Sequence, residues 1–354
     1  MRMRQTQPNV SAQDEGTSAV SVLVLTYKNR EKLGRCVESV LRTEYPRFDV
    51  TVIDNAPEAG IGIEVSLRFP SVRVLPMPSN LGIVAYNEVI SVVSSPFVAI
   101  LNDDTEVDPM WLTYLMVEMR RDERIAEVVP KVLFMHDRGI INSAGGLYDI
   151  LGNGCNRGNG EPDEGQYDRV EEVFYGPGGA ALIRRSVWDQ IGGYDDRYFL
   201  YAEDSDWCWR ARLAGYRIVY TPNARVYHHW HTTTNDGLMG YLAQRHEMCN
   251  ALKNYSLPTI TILAPALAGE LMLRFIALVW LRPKLAPTVF RALAWNVGNL
   301  PATFRWRRRV AELRARSDLA IWRRMYKGSI HVRLLMSKLR HPFMAGILKK
   351  QKGG

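Results

Sequence analysis

Cysteine is scarce and unpatterned in this chain. Only Cys36, Cys155, Cys208 and Cys249 occur in 354 residues, with no CxxC pair. That distribution argues against a disulfide framework and fits a reducing cytosol. No internal repeat is present, which excludes solenoid and propeller architectures. Residues 1–19 lack an apolar stretch and read as a loose N-terminal tail, not a signal peptide. Acidic residues almost vanish after Leu281. Glu312 and Asp318 stand alone there against 18 Lys and Arg, a net of about +16. The whole chain carries +8, so residues 1–281 carry about −8. An acidic body with a basic tail predicts a polyanionic surface as partner, either nucleic acid or anionic lipid.

What is present is an alternation. Apolar, β-branched runs at 20–25, 50–54, 72–75 and 97–101 are each followed by a helical pattern, at 30–41, 61–69, 82–94 and 109–120. Continuous apolar strands between helices predict an α/β fold with a mostly parallel sheet covered on both faces. A further strand is expected at 128–134. The glycine-rich stretch 152–165 then reads as a mobile loop. A strand at 179–184, a short helix at 186–190, a helix at 205–214 stopped by Gly215 and a strand at 217–220 complete the body.

Two acidic clusters carry the chemistry. Asn102-Asp103-Asp104 follows an apolar run, and Glu203-Asp204 precedes a helical pattern. Carboxylates at the carboxyl end of a buried strand sit where open α/β sheets bind ligands. Oxygen ligands suit a hard divalent cation that also holds phosphates, and a second carboxylate set can supply a general base. The pair suggests a metal-dependent enzyme acting on a phosphate-bearing substrate.

Motifs in consistent order extend this from about Val20 to Trp230. They are Val22-Leu23-Val24-Leu25-Thr26-Tyr27-Lys28-Asn29-Arg30, Val52-Ile53-Asp54-Asn55, Asn80-Leu81-Gly82 with Asn87, Leu101-Asn102-Asp103-Asp104-Thr105, Gly192-Gly193-Tyr194-Asp195, Glu203-Asp204 and Val226-Tyr227-His228-His229. Together they resemble the inverting family-two glycosyltransferases of GT-A fold. The likeness is strongest to the bacterial branch that holds rhamnosyltransferases of cell-wall and O-antigen assembly.

The resemblance implies roles. Thr26, Tyr27 and Arg30 would hold the nucleotide at a strand-to-helix turn, with Arg30 meeting the diphosphate; a helix cap and a surface arginine are the plain alternative. Asp54 would read the imide N–H of a uracil or thymine, or form a turn with Asn55. Asn80 and Asn87 would line the nucleotide pocket, and Gly82 would permit close backbone approach. Asn102-Asp103-Asp104 matches a DxD-type motif whose first position is Asn. Asp104 would bind Mg2+ or Mn2+, and Asp103 the ribose or a metal-bound water. Asp204 would take the acceptor's proton, or cap the helix that follows. Glu203 and Asp206 are weaker candidates. Trp207 and Trp209 fit either an acceptor platform or the core. His228 would complete the metal shell. His229 and His231 alternate away from each other, which argues against a zinc site of all three.

The segments divide as a tail at 1–19, a GT-A domain at 20–255 and a basic, apolar helical region at 256–354. In the last, 258–281 is long enough to approach a membrane span, yet Glu270 and Arg274, spaced as an i,i+4 ion pair, make a simple span expensive. Residues 306–326 read as one interfacial amphipathic helix. The expected enzyme takes a nucleoside diphosphate sugar, dTDP-L-rhamnose first and UDP-hexoses next, to a lipid-linked glycan acceptor. It works on an anionic membrane surface at the cytoplasmic face, peripheral or monotopic. A non-catalytic sugar-binding scaffold of the same fold is the alternative. No nucleic-acid partner is expected, since the tail has no recognition motif.

Overall fold

The computed structural model describes residues 18–177, 179–230 and 236–340. The N-terminal tail at 1–17 and His231 lie outside the described residues. In chain order the elements are β1 (Val20–Thr26), α1 (Arg30–Leu41), β2 (Phe48–Asp54), α2 (Ile61–Arg68), β3 (Arg73–Pro76), α3 (Ala85–Ile90), β4 (Phe97–Asn102), β5 (Thr105–Val107), α4 (Trp111–Met119) and β6 (Ile125–Phe134). Four short strands follow, β7 (Ile141–Ser143), β8 (Gly146–Tyr148), β9 (Gly154–Asn156) and β10 (Glu171–Glu172). Then come β11 (Ala180–Arg184), α5 (Arg185–Ile191), α6 (Glu203–Leu213) and β12 (Arg217–His228). The helices α7 (Asp236–Asn254), α8 (Leu257–Leu281), α9 (Pro287–Gly298), α10 (Leu300–Leu313), α11 (Asp318–Trp322) and α12 (Ile330–Arg340) complete the chain.

One sheet organises the body, in the order β10-β12-β6-β11-β4-β1-β2-β3. The pairs β1–β2, β1–β4, β2–β3 and β6–β12 are parallel, and β11 runs antiparallel between β4 and β6. The apolar runs end up covered on both faces because two cores flank the sheet. One gathers Leu23, Ile100, Trp188, Trp207 and Trp209, the other Val22, Val24, Leu33, Leu112 and Leu115.

Several local expectations change. Residues 82–94 are not one helix: a 3-10 turn at Gly82–Val84 leads into α3. The strand expected at 217–220 runs on to His228 across a register shift between Thr221 and Arg225. The glycine-rich stretch is not a bare loop. It carries β9, and the buried Lys131 holds Asp163 at 2.7 Å and Asp168 at 2.5 Å.

Residues 306–326 are two helices, not one. After Leu313 the chain turns so that the amides of Ala315 and Arg316 bond the Leu213 carbonyl, and Ser317 caps α11 by accepting from the Ala320 amide. Capping plus docking on the end of α6 outweighs helical continuity there. Trp306 faces inward, over the Arg210 guanidinium (4.9 Å) and the Lys253 ammonium (5.1 Å).

Candidate active site

The strand directions gather the site. Thr26 pairs with Asp54, Leu25 with Asn102, and His228 with both Phe134 and Thr105. The carboxyl ends of β1, β2, β4, β6 and β12 therefore share one edge of the sheet, the crevice where open α/β sheets take ligands. Residues as far apart as Thr26 and His228 meet there.

Asp103 joins two of these strand ends. It accepts hydrogen bonds from the Thr26 hydroxyl (2.7 Å) and the Asn29 amide (3.0 Å), with the Tyr27 backbone N–H farther off at 3.4 Å. Burial pushes its carboxyl up to about 6. Both oxygens face the β1–α1 turn, so Asp103 shapes that turn whatever else it touches.

Asp104 points the other way. Its Oδ1 lies 3.1 Å from His228 Nε2, and both side chains are nearly buried. His228 Nδ1 lies 3.2 Å from the Asn142 side-chain oxygen. With Nδ1–H donating to Asn142, the Nε2 lone pair faces the carboxylate. Two acceptors at that separation need a proton or a cation between them. The Asn102 side chain belongs to the same niche, since a Cβ on Gly179 would stand 3.7 Å from His228 and 4.0 Å from Asn102. A carboxylate and an imidazole with room beside them fit a divalent cation that takes its remaining ligands from phosphate and water. Among the described residues no group of three or more His, Cys, Asp and Glu is placed to hold a metal ion.

The other nucleotide-loop candidates have protein partners. Asp54 accepts from the Ala56 amide (2.9 Å) and from the Gly62 amide in the first turn of α2 (3.2 Å). The exposed Arg30 pairs with Glu64 at 2.9 Å, leaning toward the loop that follows Asp54. Tyr27 is exposed at the mouth. Asn80 accepts from the Gly82 amide (3.0 Å). Gly82 has φ +61°, and a Cβ there would stand 2.1 Å from the Phe199 carbonyl oxygen. The close approach that demands glycine is thus to the protein's own backbone. Asn87 bonds both the N–H and the C=O of Tyr194, at 2.9 and 3.0 Å, and so grips the Gly192-Gly193-Tyr194 turn.

Glu203 and Asp204 open α6 after two residues in left-handed conformation, Tyr201 (φ 68°) and Ala202 (φ 63°). The helix starts two residues earlier than expected, with Ala202 at the cap position, so Asp204 sits in the first turn and is not the N-cap. A carboxylate there faces the positive end of the helix. Glu203 is buried, with one oxygen lacking any hydrogen-bond partner. Burial first, and then the charge of Asp204, hold its carboxyl well above the ordinary range. Glu127 on β6 is buried too and takes the Cys208 thiol at 2.9 Å. Burial pushes it up to about 8. Environments that separate neighbouring carboxyls in this way mark acid and base roles. Of these three, Asp204 alone is only partly buried.

Asp206, Trp207 and Trp209 serve the interior. Asp206 is buried and meets Arg210 and Lys253, each at 3.0 Å. Lys253 also meets Asp195 at 2.8 Å. Arg210 donates to the carbonyls of Ile191, Gly192 and Gly193. Both tryptophans are packed in the core and neither forms an acceptor platform. Asn142, Glu127, His246 and Lys253 are site neighbours that no sequence motif announced. A cavity of about 450 Å3 between α6, β12 and α11 lies at the opposite end of β12, lined by arginines already drawn toward Glu172 and Asp122.

Residues 18–247 match the model of the family described as glycosyltransferase like family 2. The chain is 30% identical over 256 residues to the N-acetylglucosaminyl-diphospho-decaprenol L-rhamnosyltransferase of Mycobacterium tuberculosis, covering 65% of this chain and 82% of that protein. It is 28% identical over 227 residues to the O-antigen biosynthesis protein RfbC of Myxococcus xanthus, covering 60% of this chain and 17% of that one. Among solved structures, GalNAc-T7 with UDP, GalNAc and Mn2+ superposes with a TM-score of 0.54 at 17% identity, over 68% of this chain and 48% of that chain.

Proposed function

The chain belongs to the glycosyltransferase-like family 2 and has a GT-A-type fold, and on that premise we propose that it transfers L-rhamnose, with inversion, from dTDP-rhamnose to a lipid-linked glycan in cell-surface assembly. The observation that carries this reading is the separation of roles at the sheet edge. Asp104 and His228 stand as one pair at the ends of β4 and β12. Asp204 stands apart on the first turn of α6, beside a buried Glu203 whose carboxyl burial pushes well above the ordinary range. The sugar and acceptor follow the mycobacterial relative, whose name specifies an L-rhamnosyltransferase and a diphospho-decaprenol.

Asp204 would accept the proton of the acceptor hydroxyl as it attacks the anomeric carbon. Burial pushes the Glu203 and Glu127 carboxyls up, so both hold their protons to higher pH than an ordinary carboxyl and are less available as the base. Thr26, Asn29 and Asp103 fix the β1–α1 turn, whose exposed Tyr27 and Arg30 face the incoming nucleotide. Mg2+ or Mn2+ at Asp104 and His228 would offset the charge of the departing nucleoside diphosphate.

The helical region supports work at a membrane. α8 has 25 residues and a mean hydropathy of 1.9 over its most apolar window, yet is almost wholly exposed. Its Arg274 reaches Asn153 (2.9 Å), Glu247 (3.5 Å) and Glu270 (3.8 Å), so the charged side of the helix is fastened to the body. The other side presents Ile262, Leu273, Ile276 and Trp280. A helix tied down along one side is suited to lie in the interface, not to cross it.

The test is a donor screen on purified full-length protein, reading nucleoside diphosphate release with Mg2+ or Mn2+. Turnover of dTDP-rhamnose above UDP-hexoses and GDP-mannose supports the reading. Preference for a UDP-hexose replaces the donor, and no turnover of any donor leaves the non-catalytic scaffold.

A further inference from the structure

Helix α7 reaches the base-bearing turn from fifty residues downstream in the chain. His246, Asn250, Lys253 and Asn254 follow the i, i+4, i+7, i+8 spacing of one helix face. Each bonds the turn or its helix. His246 Nδ1 donates to the Tyr201 carbonyl (2.8 Å), and the Asn250 amide donates to the Ala202 carbonyl (3.0 Å). Asn254 donates to Asp206 (2.9 Å), and Lys253 pairs with Asp206 and Asp195.

The two residues whose carbonyls are taken by His246 and Asn250 are the two in left-handed conformation, Tyr201 and Ala202. Such a conformation in consecutive non-glycine residues persists only where surrounding contacts over-determine it. The contacts here are built firmly. His246 is fully buried and stacks on Tyr198 with ring centroids 4.0 Å apart and 7° between planes. The Tyr198 hydroxyl donates to Asn250 at 2.7 Å, which turns the Asn250 amide toward Ala202. Arg245 donates to His246 Nε2 at 3.0 Å, which leaves the proton on Nδ1.

We propose that His246 and Asn250 are positioning residues that hold the Tyr201–Ala202 turn in the one conformation that delivers Asp204 to the acceptor. The inference rests on Asp204 being the base. It also gives the C-terminal helices a second task. They stack behind α7, with the Asn296 amide on the Arg245 carbonyl (3.0 Å) and Trp295 edge-on to His246 (5.9 Å). The helices that carry the apolar outer surface therefore also brace the turn.

The experiment compares full-length His246→Phe, His246→Asn, Asn250→Leu and Asp204→Asn with wild type. It uses dTDP-rhamnose as donor and N-acetylglucosaminyl-diphospho-polyprenol as acceptor, and records kcat, donor KM and Tm. His246→Phe keeps a ring on Tyr198 and removes the donor; His246→Asn restores a donor near Nδ1. Expected are a kcat loss of about 10- to 100-fold in His246→Phe and Asn250→Leu, a donor KM within about threefold, and recovery of most of the loss in His246→Asn. The inference is overturned if both loss variants turn over within about twofold of wild type. It is overturned equally if kcat, KM and Tm decline together without rescue by Asn, or if none of these variants folds, since each result leaves a purely structural role. An inactive Asp204→Asn beside fully active α7 variants keeps the base and removes the inference. A fully active Asp204→Asn removes the base itself.

Discussion

His228 Nε2 and Asp104 Oδ1 stand 3.1 Å apart where the end of β12 meets the start of β5. With the Nδ1 proton on the Asn142 side, both groups are acceptors and a proton or a cation must stand between them; on the proposed function it is a cation. Asp104 supplies the formal negative charge and His228 only a lone pair. Their contributions to holding a cation should therefore be unequal.

Asp104→Ala should lower turnover by about 10³-fold or more with the fold intact, and His228→Ala by about 10-fold less than that. Steady-state release of nucleoside diphosphate with circular dichroism as the folding control checks both. Full wild-type activity in excess EDTA would contradict the cation role.

Asp204→Asn removes proton acceptance at nearly constant shape, so kcat should fall by about 10²- to 10⁴-fold while dTDP affinity changes little. Glu203→Gln replaces a carboxyl whose charged form burial already disfavours and should cost far less. Isothermal titration of dTDP beside turnover separates the two. Loss in Glu203→Gln with near-normal Asp204→Asn would reverse the assignment.

Glu127 gives a pH signature. Its folded-state value is about 8 against an ordinary carboxyl near 4.5. A raised carboxyl contributes stability that is complete below the unfolded value and is lost as pH climbs through the folded one. Stability should therefore drain between about pH 4.5 and 8 for this group, and Glu127→Gln should not share the loss. The Tm of Glu127→Gln relative to wild type should rise by several degrees between pH 5 and pH 8.5 in thermal melts. A constant difference would show that Glu127 is already ionised in the fold.

Lys253 is fully buried between Asp195 and Asp206; burial alone would raise the Asp206 carboxyl, but the Lys253 and Arg210 charges outweigh it and hold Asp206 below the usual carboxylate range. Lys253→Met leaves two acids facing each other with Arg197 and Arg210 alone. Breaking a buried pair from one side costs about 3–5 kcal/mol, and chemical denaturation should show a loss of that order. A loss under about 1 kcal/mol would mean that the two arginines suffice.

The sheet and its site edge were legible because buried parallel strands leave a plain trace, an apolar run with polar residues at its carboxyl end. Thr26, Asp54, Asp103, Asp104 and His228 each follow such a run. The brace behind Asp204 was not legible. His246, Asn250 and Lys253 meet partners 45, 48 and 58 residues away, and nothing local in α7 marks them. Trp207 and Trp209 stayed open between platform and core in the sequence, since a short run beside two carboxylates says nothing about which way an indole turns; the fold takes the core. The break after Leu313 was hidden because its cause lies on α6, in the carbonyl of Leu213.

Membrane binding can be read from vesicles. The exposed apolar residues at the end of α8 include Trp280 and Leu281 at 82% and 79% exposure, next to a segment of about +16 charge. Full-length protein should co-sediment with vesicles rich in anionic lipid at low salt, and Trp280→Asp with Leu281→Asp should weaken this by about 10-fold or more. Protein that stays in the supernatant would make α8–α11 a packed helical domain only.

The central claim is that this edge transfers a sugar from a nucleotide to a lipid-linked acceptor with Asp204 as the base. The most direct measurement is transfer of radiolabelled rhamnose from dTDP-rhamnose to N-acetylglucosaminyl-diphospho-polyprenol in detergent micelles, by wild type and Asp204→Asn side by side. The account predicts a labelled lipid product from wild type in Mn2+ and about 10²-fold less or lower from the variant. Equal labelling by the two proteins, or none by wild type with any donor, would contradict it.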